Sequence, residues 1–436
     1  MVLDRVRPPL AAETVAQSDI QRKVVGVLAA AQVLGGVGVA TAVAVGVLLA
    51  TELSSEEFAG LASAGSVIGA ALIAIPVSRL MDVHGRRPGL LLAYAIGIVG
   101  AVVVVIGAIN GSFPLALLGL VAAGGGTTAT LQSRYAATDL ASPDRRGRSL
   151  ATVVWATTIG SVLGPNLASP MGRFAESIGI PSLAGPYLLT MVVFLLSATL
   201  IFVFLRPDPL LAARASQRAA AGVTTATTRV KRSMREALAI IFSTPAALLG
   251  FAAIVLGHSV MVGVMSMTPV HLHHADATLE VIGLVISLHI AGMYAASPLV
   301  GIAADRFGRR PVIATGCGLL LVAVAVAGTA SGHDSTRLAI GLAILGLGWS
   351  CTMIGGSTLL TDSVSLYQLP NVQGTADVMM GFAGASAGIL AGVVIAFGSY
   401  AILSAIAAVM IVPLLLIAVQ AAWRHPTRTA VDAAAD

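Results

Sequence analysis

Two segments of the chain, SRLMDVHGRRPGLL at 78–91 and GIAADRFGRRPVIA at 301–314, are copies of one pattern. Asp, Gly, Arg, Arg and Pro recur in the same order and at the same spacing in both segments. Further matches follow at the same or a nearby offset: Thr138–Asp139 with Thr361–Asp362, Pro143 with Pro370, and Gly147 with Gly374. A duplicated unit is the simplest explanation, and it divides the chain into two related halves.

The composition excludes a soluble domain. Of the 436 residues, 57% are hydrophobic and 10% are charged, whereas soluble domains carry about 25% charged residues. We therefore expect a polytopic membrane protein in contact with the lipid bilayer, in which 47 glycines allow close packing of helices. The net charge of +5 reports orientation and not a nucleic-acid partner. Cys317 and Cys351 lie in apolar segments and imply no disulfide framework.

Apolar runs of about 20 residues predict membrane-spanning helices. Twelve runs give an all-α membrane protein with two pseudo-symmetric six-helix halves: 24–50, 57–79, 89–109, 113–135, 149–171, 186–206, 246–270, 279–303, 311–330, 337–360, 374–397 and 399–422. The predicted divisions are a cytoplasmic tail at 1–23, a first half at 24–206, a cytoplasmic linker at 207–245, a second half at 246–422 and a cytoplasmic tail at 423–436. The polar first segment indicates no cleavable signal peptide.

The basic residues predict the orientation in the membrane. If both termini are cytoplasmic, all of the 25 Lys and Arg residues except Arg173 and Arg337 fall on the cytoplasmic side. By the positive-inside rule, we expect a multi-pass protein of the plasma (inner) membrane with both termini in the cytoplasm. The arginine-rich linker at 207–245 is expected to be either a solvated tether or in part an amphipathic surface helix.

The duplicated hairpin has a local physical logic. A tight turn needs glycine, and proline suits the first turn of the next helix. The arginines face an anionic leaflet, and the aspartate at the helix end can pair with them or with a neighbouring helix. Such a charge cluster can hold two helix bundles together on one side of the membrane and release them when the bundles rock.

The doubled D-x-x-G-R-R-P hairpin resembles the signature of the major facilitator superfamily, and the resemblance covers essentially the whole chain. It implies a twelve-helix transporter in which six charged residues control an inner gate without touching substrate: Asp82, Arg86, Arg87, Asp305, Arg309 and Arg310. Ser78 stands where the first copy usually has glycine, so looser packing is expected there. Gly301 keeps the glycine of the second copy.

The sequence contains no recognisable enzyme motif. A phosphate-binding loop of the G-x-x-x-x-G-K-[ST] type is absent, so ATP-driven transport has no support. Serine, histidine and acidic residues form no hydrolase pattern, and no prosthetic group is expected. Secondary transport remains, with a substrate site between the halves near mid-membrane.

Methionine and histidine side chains in the seventh and eighth spans form a candidate substrate site. Their spacing places His258, Met261 and Met265 along one stripe of the seventh span. His289 and Met293 share a face of the eighth span at about mid-membrane depth. Thioether and imidazole groups suit Cu(I). The alternatives are that the methionines fill an apolar core and that the histidines carry protons.

The pattern MxxxM in the seventh span followed by HxxxM in the eighth resembles the signature of the CcoA-like copper importers within the superfamily. The matching residues are Met261, Met265, His289 and Met293. The resemblance implies that these four side chains bind copper as the transported substrate.

An outer cluster of polar residues follows the seventh span as H-x-H-H-x-D. It consists of His271, His273, His274 and Asp276. Such a cluster could capture a metal ion at the outer mouth, or it could titrate near pH 6.5 and sense external acidity. The alternative is a polar loop at the membrane surface.

The fifth span carries Gly164 and Pro165 in a partial match to G-x-x-x-G-P, which resembles an element of proton-coupled drug antiporters in the same superfamily. These two residues would bend the helix and let it approach its neighbour. Gln32, Arg134 and Asn166 are candidates for the cavity lining. Arg134 is equally suited to anchor the inner surface.

Two hypotheses of function follow. The first is a secondary transporter that imports copper by alternating access, and the second is a proton-coupled exporter of small amphipathic compounds, in which His258 or His289 carries the proton. A receptor or scaffold is disfavoured, because a duplicated gating motif has no purpose without rocking. The expected partners are the lipid bilayer, a small-molecule or metal-ion substrate and protons, and the chain is expected to be a monomer.

Overall fold

The computed structural model describes residues 10–54, 59–220, 233–273, 275–276 and 278–424, and in this part of the chain the regular structure is helical. The helices are α1 (Leu10–Leu53), α2 (Ala59–His84), α3 (Arg86–Ile109), α4 (Phe113–Ala136), α5 (Arg146–Ser177), α6 (Gly185–Phe204), α7 (Pro209–Ala220), α8 (Met234–Ser243), α9 (Pro245–His273), α10 (Leu279–Tyr294), α11 (Ser297–Phe307), α12 (Arg309–Gly328), α13 (Ser335–Asp362), α14 (Leu369–Phe397) and α15 (Tyr400–Arg424). Twelve helical segments are long and apolar enough to span a membrane. The predicted all-α fold of twelve spans is confirmed.

The first six spans are α1–α6, and the second six are α9, α10 with α11, and α12–α15. Each half has its own apolar core. The halves meet chiefly where α2 packs against α14 and where α5 packs against α11. These two contacts are related by the internal repeat, because α2 and α11 carry the two copies of the hairpin motif and α14 and α5 follow the two Thr-Asp copies.

Small residues bring the halves together at both contacts. Gly301 of α11 lies against the backbone of Gly147 of α5, and Ser78 of α2 lies against Gly374 of α14. The looser packing expected at Ser78 is wrong, because Gly374 provides the space that the serine side chain fills, and Ser78 is only 5% exposed. The missing glycine of the first copy is thus replaced by a glycine on the opposite helix.

The two hairpins have the same backbone geometry. Gly85 lies between α2 and α3 with a φ of 94°, and Gly308 lies between α11 and α12 with a φ of 96°. Residues with a Cβ rarely adopt this conformation. Glycine at both positions therefore allows the chain to reverse within a single residue between two membrane-spanning helices.

The eighth span, predicted over 279–303, is present as one apolar segment, Val281–Phe307, with a short interruption of its helix. Helix α10 ends at Tyr294 and α11 begins at Ser297. Pro298 has no N–H group to bond the carbonyl of Tyr294, and its ring crowds that carbonyl, which favours the interruption at Ala295 and Ala296. Interrupted spans are typical of substrate sites in transporters.

Candidate functional site

Six polar side chains form a column between the two halves, starting at the end of the bundle that holds the duplicated hairpins. We call this end the hairpin end and the six residues the interface column: Arg86, Gln132, Arg134, Asp139, Gln373 and Asp377. The first half contributes four of them, from α3, α4 and the turn after α4, and α14 contributes the other two. All six side chains are buried.

The layer of the column that lies farther from the hairpin end, which we call the inner layer, is an ion pair between the halves. Arg134 Nη2 lies 2.6 Å from Asp377 Oδ1, and the two side chains are 3% and 1% exposed. Gln132 Nε2 donates to the other carboxylate oxygen at 2.8 Å, and the Arg134 guanidinium also lies over the ring of Tyr135. Asp377 is about 12 Å from the start of α14 by helical rise. The alternative that Arg134 anchors the surface is wrong.

The layer nearer the hairpin end, which we call the outer layer, joins the first hairpin to α14. Arg86 donates to both oxygens of Asp139 at 2.8 and 3.0 Å and to Gln373 Oε1 at 2.6 Å. The amide of Gln373 in turn donates to Thr361 Oγ1 at 3.1 Å. Burial raises the pKa of the Asp139 carboxyl, because the cost of desolvating the carboxylate exceeds the attraction of the Arg86 guanidinium.

The repeat produces a second copy of this arginine–aspartate pair. Arg309 Nε donates to Asp362 Oδ2 at 3.0 Å, and Arg146 Nη1 from the first half donates to Asp362 Oδ1 at 2.5 Å. The duplicated Thr-Asp pairs of the sequence therefore supply the acid that holds each hairpin arginine. This second pair is less buried, with 11% of the Arg309 and 26% of the Asp362 side chain exposed.

The two hairpin aspartates have different partners. Asp305 accepts hydrogen bonds from the backbone N–H groups of Gly147 and Arg148 at 2.8 and 2.9 Å, at the start of α5. A carboxylate at a helix N-terminus satisfies unpaired N–H groups and interacts well with the helix dipole. Asp82 instead accepts a hydrogen bond from Arg214 of α7 at 2.9 Å. Each aspartate thus binds a segment outside its own hairpin.

Four residues form what we call the linker clamp: Asp82, Arg214, Arg218 and Tyr367. Arg214 donates to the backbone carbonyl of Asp82 as well as to its carboxylate. Arg218 donates to the hydroxyl of Tyr367 at 3.0 Å, and both guanidinium groups lie over the Tyr367 ring. The alternative of a solvated tether is wrong for α7, because this helix joins the first hairpin to the turn between α13 and α14.

The remaining gate residues are placed as follows. The backbone N–H of Arg87 donates to Asp208 at 2.8 Å, and its guanidinium lies 4.7 Å from the centre of the Phe202 ring, so these contacts stay within the first half and the start of the linker. Arg310 is half-buried. Of the six predicted gate residues, Arg86, Asp305 and Arg309 contact the other half directly.

An aromatic layer lies above the column, farther from the hairpin end, and consists of His258, Tyr294 and Trp349. Trp349 Nε1 donates to His258 Nδ1 at 3.2 Å. The Tyr294 ring meets the Trp349 ring edge-on, with centroids 5.7 Å apart. The His258 ring lies against Gly384 of α14, which is seven residues, or about 10 Å, beyond Asp377 on that helix. The layer therefore lies farther from the hairpin end than the ion pair, near the interruption between α10 and α11.

The predicted methionine and histidine side chains lie on α9 and α10 of the second half. His289 is fully buried, and its Nδ1–H donates to the carbonyl of Leu342 on α13 at 2.8 Å. His258 accepts a hydrogen bond from Trp349, which lies seven residues, or about 10 Å, beyond Leu342 on α13. The three methionines of the motif pack into or against the apolar core of the second half: Met261, Met265 and Met293. Within the described residues, no group of three or more His, Cys, Asp or Glu side chains could hold a metal ion.

The outer cluster lies only partly within the described residues. The His271 ring stacks on the Tyr400 ring, with centroids 4.5 Å apart and planes 7° apart. Asp276 is exposed and has a φ of 57°. The side chains of His273 and His274 lie outside the described residues. Metal capture or pH sensing at this position stays a prediction.

The other predicted cavity residues bond partners within the first half. Gln32 donates to Thr157 Oγ1 at 2.8 Å within the first half, and the exposed Asn166 donates to the Val162 carbonyl of its own helix. Helix α5 continues through Pro165. Gly164 lies where a Cβ would come within about 3 Å of the α1 backbone, so it brings α5 and α1 close together.

Sequence reasoning missed Asp377 and Gln373. An acid in an apolar span is itself a signal of function, because an unpaired charge in the bilayer is costly. Asp377 lies within the predicted span 374–397 and meets that criterion. Gln373 gave no such signal, because a neutral amide one residue outside a predicted span is unremarkable.

Two six-helix bundles that meet through gated contacts, with a buried polar column between them, define a membrane transporter of the two-bundle class. The model of the Major Facilitator Superfamily matches residues 27–279 and 264–435. The chain belongs to this superfamily and is a secondary transporter, as the members of the family in general are.

Proteins of similar sequence agree with this assignment. The chain is 38% identical over 400 residues to the uncharacterized MFS-type transporter YdeG of Bacillus subtilis, with 90% of each chain covered. It is 36% identical over 409 residues to YddS, another uncharacterized MFS-type transporter of B. subtilis, with 92% of each covered. The riboflavin transporter RfnT of Brucella anthropi is 26% identical over 364 residues, which cover 82% of this chain and 85% of RfnT.

Solved structures share the fold at low sequence identity. The human organic anion transporter MFSD10 superposes with a TM-score of 0.70 at 17% identity, over 91% of this chain and 99% of MFSD10. An outward-facing bacterial homologue of the iron transporter ferroportin gives 0.68 at 14% identity, over 91% and 98% of the two chains. These relatives and structures do not support the resemblance to copper importers.

Proposed function

We propose that the chain transports a small organic molecule with a flat ring system and an anionic or hydrogen-bond-accepting group, by alternating access and in exchange for or together with a proton. The observation that carries the proposal is the Arg134–Asp377 pair, which joins the two halves and is almost completely buried. Ionisable residues inside a membrane are costly and are retained chiefly where they act on substrate or protons.

The pair can respond to both ligands. An acceptor group of the substrate competes with the Asp377 carboxylate for the donors of Arg134, whose Nε has no hydrogen-bond partner among the described residues. Once separated from the guanidinium, the carboxylate lies in a low-dielectric environment and binds a proton more readily. The bond between the halves is then broken without leaving a charge unpaired.

The aromatic layer suits the ring of such a substrate. Tyr294 and Trp349 offer ring edges and faces farther from the hairpin end than Arg134, and binding sites for small molecules combine aromatic walls with a few directed polar groups. Gln132 Oε1, a neighbouring acceptor, also has no partner among the described residues. The similarity to a riboflavin transporter supports an organic substrate, since riboflavin combines a flat ring with polar groups.

The hairpin end is closed in this structure. The interface column, the second arginine–aspartate pair and the linker clamp all join the halves there. We place this end in the cytoplasm, because the positive-inside rule favours it. In this orientation, substrate reaches the aromatic layer from the outer side, and opening of the hairpin end requires that the column separate.

We expect the variant Trp349→Ala to raise the KM for an aromatic substrate about tenfold, because it removes a ring contact and the hydrogen bond to His258. The measurement is uptake of riboflavin and of a panel of small aromatic acids into proteoliposomes that contain a pH-sensitive dye. Trp155→Ala is the matched control, because Trp155 is 41% exposed on α5, away from the column. Equal KM values in the two variants would contradict the assignment of the aromatic layer.

Copper import is the second candidate function, and one observation favours it. The Nδ1–H of His289 donates to a backbone carbonyl, so its Nε2 carries the lone pair that a metal ligand needs. This Nε2 has no hydrogen-bond partner among the described residues. Met265 and Met293 pack in or against the same apolar cluster. The burial of His289 and the separate position of His258 favour the organic substrate.

Uptake of radioactive Cu(I) by proteoliposomes tests the copper hypothesis. If His289 and Met265 bind copper, His289→Ala and Met265→Ala lower the uptake rate at least about tenfold, whereas Met410→Ala on α15 leaves it unchanged. If all of these chains take up copper at the rate of empty vesicles, the copper hypothesis is wrong. The organic-substrate hypothesis is then tested by the dye assay alone.

A further inference from the structure

Arg146 and Gln373 form an unequal pair of repeat positions in the gate. Arg146 and Gln373 each lie three residues after the matched prolines Pro143 and Pro370, so they are equivalent by the repeat. Each crosses to the hairpin pair of the other half, Arg146 to Asp362 and Gln373 to Arg86. The arginine of one copy is thus an amide in the other copy.

Burial explains the difference in residue type. The Arg86–Asp139 pair is 0% exposed, and one cation there balances one anion. A second guanidinium at position 373 would leave an unbalanced charge in an interior without water, which is strongly unfavourable. The pair that Arg146 joins is partly exposed, and Asp305 lies 3.4 Å from Arg309, so a second acid and the solvent both balance the added charge. The neutral amide therefore permits a buried bond from α14 to Arg86 without adding a second charge.

Gln373 also connects two layers of the column. It lies one helical turn before Asp377 on α14, so the two side chains share a helix face. Its Oε1 accepts from Arg86, while Asp377 accepts from Arg134 and Gln132 of α4. Both bonds join α14 to the first half, and a rigid helix turn links them.

We propose that Gln373 is a positioning residue that couples the Asp377–Arg134 pair to the first hairpin, so that separation of the inner pair moves α14 and releases Arg86. This inference rests on the proposed function of the inner pair. It assigns the α2–α14 side of the gate to the response to substrate or proton. The α5–α11 side, whose charges are partly exposed and screened, opens after the α2–α14 side.

A double-mutant cycle tests the coupling in the full-length chain. Spin labels at His84→Cys on α2 and Arg306→Cys on α11, both exposed at the hairpin end, report the distance between the halves. The buried native cysteines are replaced by serine. Populations of the closed and open hairpin end are measured in nanodiscs for the wild type, Asp377→Asn, Gln373→Leu and the double variant.

We expect Asp377→Asn to shift the ratio of closed to open hairpin ends about tenfold when Gln373 is present and less than about twofold when leucine replaces it. Gln373→Asn keeps a neutral amide acceptor and is expected to retain more of the response than the leucine variant, which separates the role of the bond from loss of folding. Equal shifts by Asp377→Asn in the wild-type and leucine backgrounds would overturn the inference.

The same data separate this inference from the proposed function. If Asp377→Asn abolishes transport but shifts the hairpin end equally with and without Gln373, only the coupling is wrong. If Asp377→Asn changes neither transport nor the hairpin end, the proposed function of the inner pair fails, and the coupling fails with it.

Discussion

Asp377→Asn is expected to lower the transport rate at least about 100-fold, the largest loss among single substitutions in the chain. The variant keeps the size of the side chain but removes the charge that balances Arg134. Removing one member of a buried ion pair costs about 3–5 kcal/mol, because the other charge stays buried without a partner. Asparagine also cannot bind the proton that neutralises the aspartate once it has separated from the Arg134 guanidinium.

Transport and stability must be measured together for this variant. The transport readout is the dye assay in proteoliposomes, and the stability readout is the midpoint of thermal unfolding in detergent. Asp144→Asn is the control substitution, because Asp144 lies on the exposed turn before α5, with 75% of its side chain accessible. It is expected to leave the transport rate and the thermal midpoint unchanged, because a surface substitution of this kind changes the free energy of unfolding by about 0.5 kcal/mol or less.

A double substitution separates function from folding. Arg134→Met with Asp377→Leu replaces the ion pair with apolar groups, and such replacements are often neutral or stabilising. We expect the double variant to recover the thermal midpoint but not the transport. Recovery of transport in the apolar pair would show that the charges serve only to hold the halves together, and wild-type transport by Asp377→Asn would rule out the inner pair as the responding element.

The fold could be predicted because its determinants are local and repeated. Each span needs only a run of apolar residues, and each hairpin needs a glycine that tolerates positive φ followed by charged residues. Gly85 and Gly308 satisfy that requirement at matched positions. The break after Tyr294 was also encoded locally, by Pro298, but the apolar run across it hid the interruption.

The partners across the interface could not be predicted, because they depend on how two distant helices face each other. The sequence marked Arg86 as a gate residue, yet its contact with Gln373 joins positions 287 residues apart. The repeat of the Thr-Asp pairs was visible, and the structure shows its meaning, since Asp139 and Asp362 hold the two hairpin arginines. A pattern that repeats can thus be recognised before its partner is known.

The copper motif shows the opposite limit of sequence patterns. Spacing of four residues places two side chains on one helix face, but it does not say which neighbouring helix that face meets. His289 faces α13, where it bonds a backbone carbonyl, and His258 bonds a tryptophan of the same helix at another level. The residues that the structure brings together at the interface are instead the arginine and the acid of α4 and α14.

Arg214→Ala is expected to favour opening of the hairpin end about thirtyfold, an effect of about 2 kcal/mol from the loss of charge-assisted hydrogen bonds to Asp82. These bonds are made only while α7 lies between the first hairpin and the turn before α14. Their loss removes an attachment of the closed state and leaves the interface column intact. The labels at His84 and Arg306 measure the change.

Two further substitutions show whether the clamp acts through its specific contacts. Tyr367→Phe removes only the hydroxyl that accepts from Arg218 and keeps the ring beneath both guanidinium groups, so its effect is expected to be threefold or less, about 0.5 kcal/mol. Arg235→Ala on the exposed face of α8 removes the same charge as Arg214→Ala and is expected to have no effect. Equal opening by both arginine variants would mean that the net charge of the linker, and not the clamp, holds the hairpin end closed. A large effect of Arg214→Ala alone would make α7 a part of the gate, because the linker then contributes bonding energy that differs between the closed and open states.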